Sequence, residues 1–232
     1  MGCEVTLVEG LDRLVPNEDE EVSDQLRKSF KKAGIKIRIG TNLVSSEIKD
    51  GKVYLNIQDK KGEDTLEADR VISAIGIQSN LENIGLENLG IATDRGKILV
   101  DDYYATNING VYAIGDIIPG PALAHVASAE GILCVEKIAG HSVEKIDYNN
   151  IPSCTYCIPE VASVGYTETQ AKEKGFELKV GKFPFSASGK ASANGDNTGF
   201  VKIIYDAKYG ELLGCHMIGE GVTEMIAEIV AA

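Results

Sequence analysis

Two spacings of apolar residues organise the chain. Glu4-Val5-Thr6-Leu7-Val8-Glu9 is apolar through its middle and stops at a carboxylate, the pattern of a buried strand. From Asn17 to Ala33 the interval becomes three or four, and Val22, Leu26, Phe30 and Ala33 fall on one stripe, which predicts a helix. Glu18 to Glu21 load its first turn with negative charge. Arg27, Lys28, Lys31 and Lys32 load its last turns with positive charge, and Gly34 follows as a stop. Ile35–Ile39 is the next strand. Strand, helix and strand in this order make a βαβ unit, with parallel strands and a right-handed crossover.

Asp50-Gly51, between Leu43–Lys49 and Lys52–Gln58, predicts a hairpin, and a turn around Lys60–Gly62 feeds a third antiparallel strand. Arg70–Ile75 predicts a further apolar strand running into Gly76, and Ile98–Val100 and Val111–Ile114 predict two short ones. A helix follows over Pro121–Ala139, with Leu123, Val126, Ala127, Ile132, Val135 and Ile138 supplying its buried side. From Ile151 the texture changes. Strand-like stretches at Ser153–Cys157, Leu178–Pro184, Phe200–Tyr205 and Glu211–Ile218 alternate with turns, and a helix lies near Thr167–Lys174. A last helix carries Val222, Met225, Ile226, Ile229 and Val230 on one side. The fold class is α/β up to a boundary near residue 150, followed by an α+β unit with an antiparallel sheet. The opening strand lacks its usual neighbour and Ala231-Ala232 offer no polar stop, so the sequence reads as a piece of a longer polypeptide.

Composition narrows the function classes. The 232 residues are 44% hydrophobic and 25% charged, ordinary for a globular protein of one or two domains. No apolar run approaches the roughly 20 residues of a membrane span, and no basic-then-apolar leader opens the chain. A net charge of -12 disfavours nucleic acid as a partner. Five cysteines, Cys3, Cys134, Cys154, Cys157 and Cys215, make no disulfide framework and suit a reducing compartment, so the expected location is cytoplasmic.

Two positions carry candidate chemistry. Glu9, ending a parallel strand, is placed either to accept hydrogen bonds from the ribose diol of a dinucleotide or simply to close a strand at the surface. In the first case a carboxylate favours NAD over NADP, because it repels a 2′-phosphate, and the Gly-rich turn that cradles the pyrophosphate would precede the chain. Val111-Tyr112-Ala113-Ile114-Gly115-Asp116 is an apolar run ending in Gly-Asp ahead of a helix. Gly115 permits close backbone approach, and Asp116 can accept hydrogen bonds from a polyol or can cap the next helix.

The longer string decides between those uses of Asp116. Tyr-Ala-Ile-Gly-Asp followed by Gly-Pro-Ala-Leu-Ala-His-x-Ala-x-x-Glu-Gly resembles the second flavin fingerprint of the pyridine nucleotide–disulfide oxidoreductases. Agreement continues through Ala74-Ile75-Gly76, Pro159-Glu160-Val161-Ala162-Ser163-Val164-Gly165, Val180–Phe185 and Gly214-Cys215-His216-Met217-Ile218-Gly219, so the resemblance spans essentially the whole chain. It implies the later part of a Rossmann-like NAD-binding domain over 1–80, a central domain completing an FAD site over 81–150, and a truncated dimerisation domain over 151–232. By the same resemblance Asp116 would bind the ribityl chain of FAD, and Ala122, Leu123, Ala124 and His125 would line the isoalloxazine with backbone groups. Glu9 would bind the NAD ribose, Leu43 would flank the adenine, and Gly76 would lie on the nicotinamide side.

Within that family the best match is to enzymes that oxidise dihydrolipoyl groups with NAD through FAD and a redox disulfide. That implies a homodimer serving a lipoyl-bearing acyltransferase of a 2-oxoacid dehydrogenase complex or a glycine cleavage carrier. The redox cysteine pair and the catalytic His-Glu dyad of the family fall outside this sequence, so it holds no catalytic residue and is expected to be inactive alone. Mercuric and glutathione reductases are the nearest enzymatic alternatives. They usually prefer NADP, with basic residues near the Glu9 position, where only Arg13 stands here. A non-catalytic dimerising or nucleotide-binding module is the alternative of another class.

Other features read as structural. Cys154-Thr155-Tyr156-Cys157 has the C-x-x-C form, yet in a strand its two thiols face opposite sides, and no second pair completes a metal site. His216 beside Cys215 is expected to pack at an interface. Ser186–Ser192 reads as a loop rather than a phosphate cradle, and Glu18 to Glu21 as a solvated helix start.

Overall fold

A computed structural model describes residues 2–232. The chain divides into two compact units, one of residues up to Ile72 with Asn149–Ala232, the other Ser73–Tyr148.

The first unit opens with β1 (Thr6–Val8), α1 (Glu20–Lys32) and β2 (Lys36–Arg38), and β1 and β2 pair in parallel, Leu7 opposite Ile37. Then β3 (Asn42–Lys49), β4 (Lys52–Asp59) and β5 (Gly62–Ala68) form an antiparallel three-stranded sheet, joined at Asp50-Gly51 as the sequence predicts. Arg70–Ile75 is not a strand. No described strand pairs with it, and Ile72 and Ile75 are 91% and 94% exposed. An apolar run becomes a strand only when another edge offers hydrogen bonds.

The second unit holds α2 (Leu86–Leu89), β6 (Thr93–Asp94) paired with β7 (Lys97–Ile98), and α3 (Ala124–Ile138). Ile98, Tyr104, Ala113, Ile118, Leu133 and Cys134 form its core. Val111–Ile114 also fails to form a strand, making only the single bridge Ala105–Tyr112. Helix α3 buries Val126, Glu130, Leu133 and Cys134, whereas Ile132, Val135 and Ile138 face outward. Apolar residues occur on both sides of this helix, so its period could not show which side faces this core.

Returning to the first unit, β8 (Ser153–Thr155), β9 (Glu160–Gly165), α4 (Glu168–Glu173), β10 (Leu178–Pro184), α5 (Gly189–Asn194), β11 (Phe200–Asp206), β12 (Leu212–Gly219) and α6 (Val222–Ala231) follow in order. Their five strands make an antiparallel sheet in the order β10-β11-β12-β9-β8. Side chains alternate across it. Val161, Phe200 and Ile218 pack with Val22 and Leu26 of α1 on one face. Ala162, Val164, Cys215 and Met217 pack with Val222 and Ile226 of α6 on the other. Ser186–Ser192 is not a loop. It runs through a 3-10 turn into α5, whose first turn the Ser188 hydroxyl caps.

The acidic start of α1 is only partly solvated: Glu20 is exposed, but Glu18 and Asp19 are buried, and Asp19 lies against a lysine in the sheet. Asp19 caps the helix by accepting from the Glu21 N–H, and its other oxygen accepts from the Glu168 N–H. Lys202 of β11 sits 2.9 Å from Asp19, 2.9 Å from Glu21 and 2.7 Å from Glu168, and the Lys202 and Asp19 side chains are 2% and 3% exposed. Lys182 pairs with Glu21, and Lys172 with Glu168. Burial opposes the Asp19 charge, but hydrogen bonding and attraction from Lys202 and the Glu168 N–H outweigh it and lower its pKa. Burial likewise opposes the ammonium of Lys202, and its three carboxylates more than compensate, raising its pKa.

Candidate functional site

Glu9 leaves β1 where the chain turns back toward the hairpin sheet. Its N–H donates to the Arg38 carbonyl at 2.8 Å, and its own carbonyl accepts from Thr41 N–H at 2.9 Å, two residues before Leu43. One carboxylate oxygen, Oε1, accepts from the Leu11 N–H at 2.9 Å. Oε2 has no described partner, so half the acid closes its own loop and half is available. Leu43 is exposed beside this turn. Arg13 donates to the Pro16 carbonyl at 2.6 Å and is tied into its own loop. Gly76 lies in the second unit, exposed at φ 105°.

In the second unit Gly115–Ile117 form a 3-10 turn ahead of α3. Gly115 has φ 74°, a conformation that favours glycine, and a Cβ there would come within a tight 3.2 Å of the Ala127 methyl. Asp116 is exposed. Its carbonyl accepts from Ser79 Oγ at 2.6 Å and from Lys97 Nζ, while no described hydrogen bond or ion pair engages its carboxylate. It does not cap α3. The N-cap is Leu123, with no side-chain cap, and exposed Ala124 and His125 open the helix. This unit thus carries a carboxylate with no described partner and a helix start with no side-chain cap, groups suited to a ligand that has hydroxyl donors and electron-rich acceptors.

Glu130 holds this turn. Only 1% exposed, it accepts from the Gly115 N–H at 2.6 Å and from the Tyr148 hydroxyl at 2.7 Å, and the Tyr148 and Tyr104 hydroxyls lie 3.1 Å apart. Burial raises the pKa of both tyrosines, so both stay protonated as donors. Glu130 stands in the motif that carries the resemblance. No role follows from its position there, because an acid in a helix ordinarily faces water.

Cys154 lies in β8 and packs on the α6 side, whereas Cys157 lies past the end of the strand and packs on the α1 side. Both thiols are free, and burial pushes both pKa values up. Among the described residues no group of three or more His, Cys, Asp or Glu is placed to hold a metal ion. His216 packs inside the first unit against the segment leading into α1, not at a surface. No helix among the described residues is long and apolar enough to cross a membrane.

The fold and the Gly115–Asp116 turn together define a class, and comparison with known proteins agrees. The family described as pyridine nucleotide-disulphide oxidoreductase matches residues 1–131, its dimerisation domain matches residues 151–232, and the chain belongs to this family. Among its relatives, dihydrolipoyl dehydrogenase of Rhizobium etli is 48% identical over 234 residues, covering 100% of this chain and 49% of that protein. The enzyme of the same name from Corynebacterium glutamicum is 46% identical over 239 residues, covering 100% and 50%. The chain therefore spans about half the length of the curated relatives it matches. The crystal structure of LpdA from Mycobacterium tuberculosis superposes with a TM-score of 0.89 at 26% identity, over 99% of this chain and 50% of that one. The HOCl-induced flavoprotein disulfide reductase RclA from Escherichia coli matches with a TM-score of 0.87 at 24% identity, a likeness of fold alone.

Proposed function

We propose that this chain is the part of a dihydrolipoyl dehydrogenase that binds pyridine nucleotide, completes the flavin site and carries the dimer interface. In this reading 1–80 is the later NAD-binding domain, 81–150 the central domain and 151–232 the dimerisation domain. The observation that carries the proposal is the exposed, unengaged carboxylate of Asp116 on a turn pinned by Glu130, in the same unit as the uncapped start of α3. Asp116 would accept hydrogen bonds from the ribityl hydroxyls of FAD, and the backbone of Ala122, Leu123, Ala124 and His125 would line its ring system. Glu9 would accept from the NAD ribose through Oε2, with Leu43 beside the adenine and Gly76 on the nicotinamide side. Arg13, already bound to Pro16, supports NAD over NADP and disfavours a mercuric or glutathione reductase.

Bound FAD supplies a two-electron relay between a dithiol–disulfide couple and NAD. This chain's residues would bind and orient the two cofactors. The five cysteines include no pair separated by four residues, so the reacting thiols belong to the part of the relatives that this chain does not span. The whole protein would act as a cytoplasmic homodimer on the lipoyl groups of a 2-oxoacid dehydrogenase acyltransferase or a glycine cleavage carrier. The test compares flavin absorbance and dihydrolipoamide-dependent NAD reduction in the complete gene product, in its Asp116→Ala variant and in this chain alone. The complete product should be yellow and active, Asp116→Ala should lose flavin while folding normally, and this chain alone should bind little flavin and turn nothing over. A colourless complete product, a preference for NADPH, or full flavin content in Asp116→Ala refutes the assignment.

A further inference from the structure

The stretch between Glu9 and α1 holds a β-branched residue in the left-handed region. Val15 has φ 42°, where a branched side chain crowds its own backbone, so groups outside the residue must hold it there. Its carbonyl accepts from the Glu18 N–H at 3.0 Å. The buried Ser23 hydroxyl of α1 lies 2.7 Å from the Leu14 carbonyl oxygen and 3.3 Å from that of Val15. Leu14 is itself buried, in the core that Val161, Phe200 and Ile218 of the antiparallel sheet share with α1. Four residues beyond Val15, Asp19 ends the stretch, and Lys202 Nζ reaches both of its carboxylate oxygens, at 2.9 and 3.1 Å.

The near end of the stretch governs Glu9. Leu11 donates its N–H to Glu9 Oε1 at 2.9 Å, and its carbonyl accepts from the Gly40 N–H at 2.6 Å. The two oxygens of a carboxylate share one rigid plane, so the donor that holds Oε1 also aims Oε2. Only Asp12 and Arg13 separate Leu11 from Leu14. A turn about φ of Val15 redirects the whole chain on one side of it. Release of the anchors at Leu14, Val15 and Asp19 is therefore felt at the Leu11 N–H, and through it at Glu9.

We infer that Ser23 and Lys202 are positioning residues for pyridine nucleotide, locking Leu14–Asp19 against the antiparallel sheet so that Glu9 Oε2 stays aimed at the ribose. The inference rests on the role proposed above for Glu9. Both residues are buried behind the stretch, so they act through Glu9 and not on the nucleotide. The sheet thereby serves as the floor of a nucleotide-binding loop, apart from any part in dimerisation.

ADP-ribose is the probe, because it carries the adenosine ribose diol and cannot exchange electrons with the flavin. Its binding to the complete gene product, with FAD bound, is measured by calorimetry well below the melting temperature. Reduction of the flavin by dihydrolipoamide, in the absence of NAD, is followed alongside. Glu9→Ala should weaken ADP-ribose by about tenfold or more, the worth of hydrogen bonds to a charged group. Ser23→Ala and Lys202→Met should each weaken it by about threefold or more, and by no more than Glu9→Ala does. Both should leave flavin reduction at the wild-type rate. In a Glu9→Ala background their losses should vanish, which a general destabilisation would not produce. Ser23→Ala removes one hydroxyl and keeps every ion pair, so it decides the matter even where Lys202→Met accumulates poorly. Unchanged affinity in Glu9→Ala overturns the role of Glu9 and this inference with it. Affinity lost in Glu9→Ala but kept in Ser23→Ala or in folded Lys202→Met overturns the inference alone. So do slowed flavin reduction in those two variants, or losses that persist in full without Glu9.

Discussion

Lys202→Met isolates the electrostatics of the α1 seam, because methionine nearly matches the volume of the lysine stem while carrying no charge. The substitution leaves Asp19 buried, keeping only its backbone donors and the more distant His216. Glu21 and Glu168 keep Lys182 and Lys172 nearer water. Removing one partner of a buried ion pair costs about 3–5 kcal/mol, chiefly because the remaining charge stays desolvated. For a chain of this size each kcal/mol moves the melting temperature by about 2–4 °C, so Tm should fall by about 6–20 °C. Thermal unfolding followed by circular dichroism at neutral pH reads this directly. A second signature comes from acid. The pKa values of Asp19, Glu21 and Glu168 are lowered, so their stabilisation is present above the unfolded carboxylate values of about 4 and fades as pH falls through the folded ones. Wild type should therefore lose stability toward acid more steeply than Lys202→Met, and the two curves should converge. A variant melting within about 1 °C of wild type at neutral pH, or a constant gap down to pH 2, would show that Lys202 does not hold this seam.

Glu130→Ala leaves the part-buried Gly115 N–H without its acceptor, at about 1–3 kcal/mol, and takes from the Tyr148 hydroxyl one of its two partners, leaving Tyr104. Denaturant unfolding should show that loss, and Glu130→Gln should recover a large part of it. In Gly199→Ala the new Cβ would lie 1.7 Å from the Ile218 carbonyl oxygen at φ 102°, so the variant should lose more than about 4 kcal/mol or fail to accumulate, read as soluble folded yield. Burial pushes the Cys215 thiol up to about 12, whereas Cys3 is exposed. At pH 8 a thiol reagent should label Cys3 at once and Cys215 only after unfolding, as peptide mapping of the labelled protein will show.

Local features of the fold were legible because local physics decides them. The βαβ start, the Asp50-Gly51 hairpin and the run Leu178–Pro184 follow from period, caps and turn chemistry. What escaped depends on partners far away in sequence. Arg70–Ile75 has the composition of a strand and no edge to join. Lys202 is a charged residue at an inward position of β11, and its partner Asp19 lies 183 residues earlier, a distance no spacing rule spans. The same separation hid the burial of Glu18 and Asp19, while Glu20 is exposed as expected. Strand β9 was visible only as part of a family motif, since Val161–Val164 are buried on both faces and show no alternation. The string singles out Asp116 as a candidate, whereas Glu130 required Tyr148, 18 residues on, to explain a carboxylate in the core.

The Glu130 contact has a thermodynamic consequence. Because the hydrogen bond to Glu130 already holds the turn before Asp116, a molecule that seated there, as proposed above, would forfeit little chain freedom on arrival. Cutting that tether would leave every contacting group in place and still slacken the grip, with the penalty appearing in the entropy of association rather than in its heat.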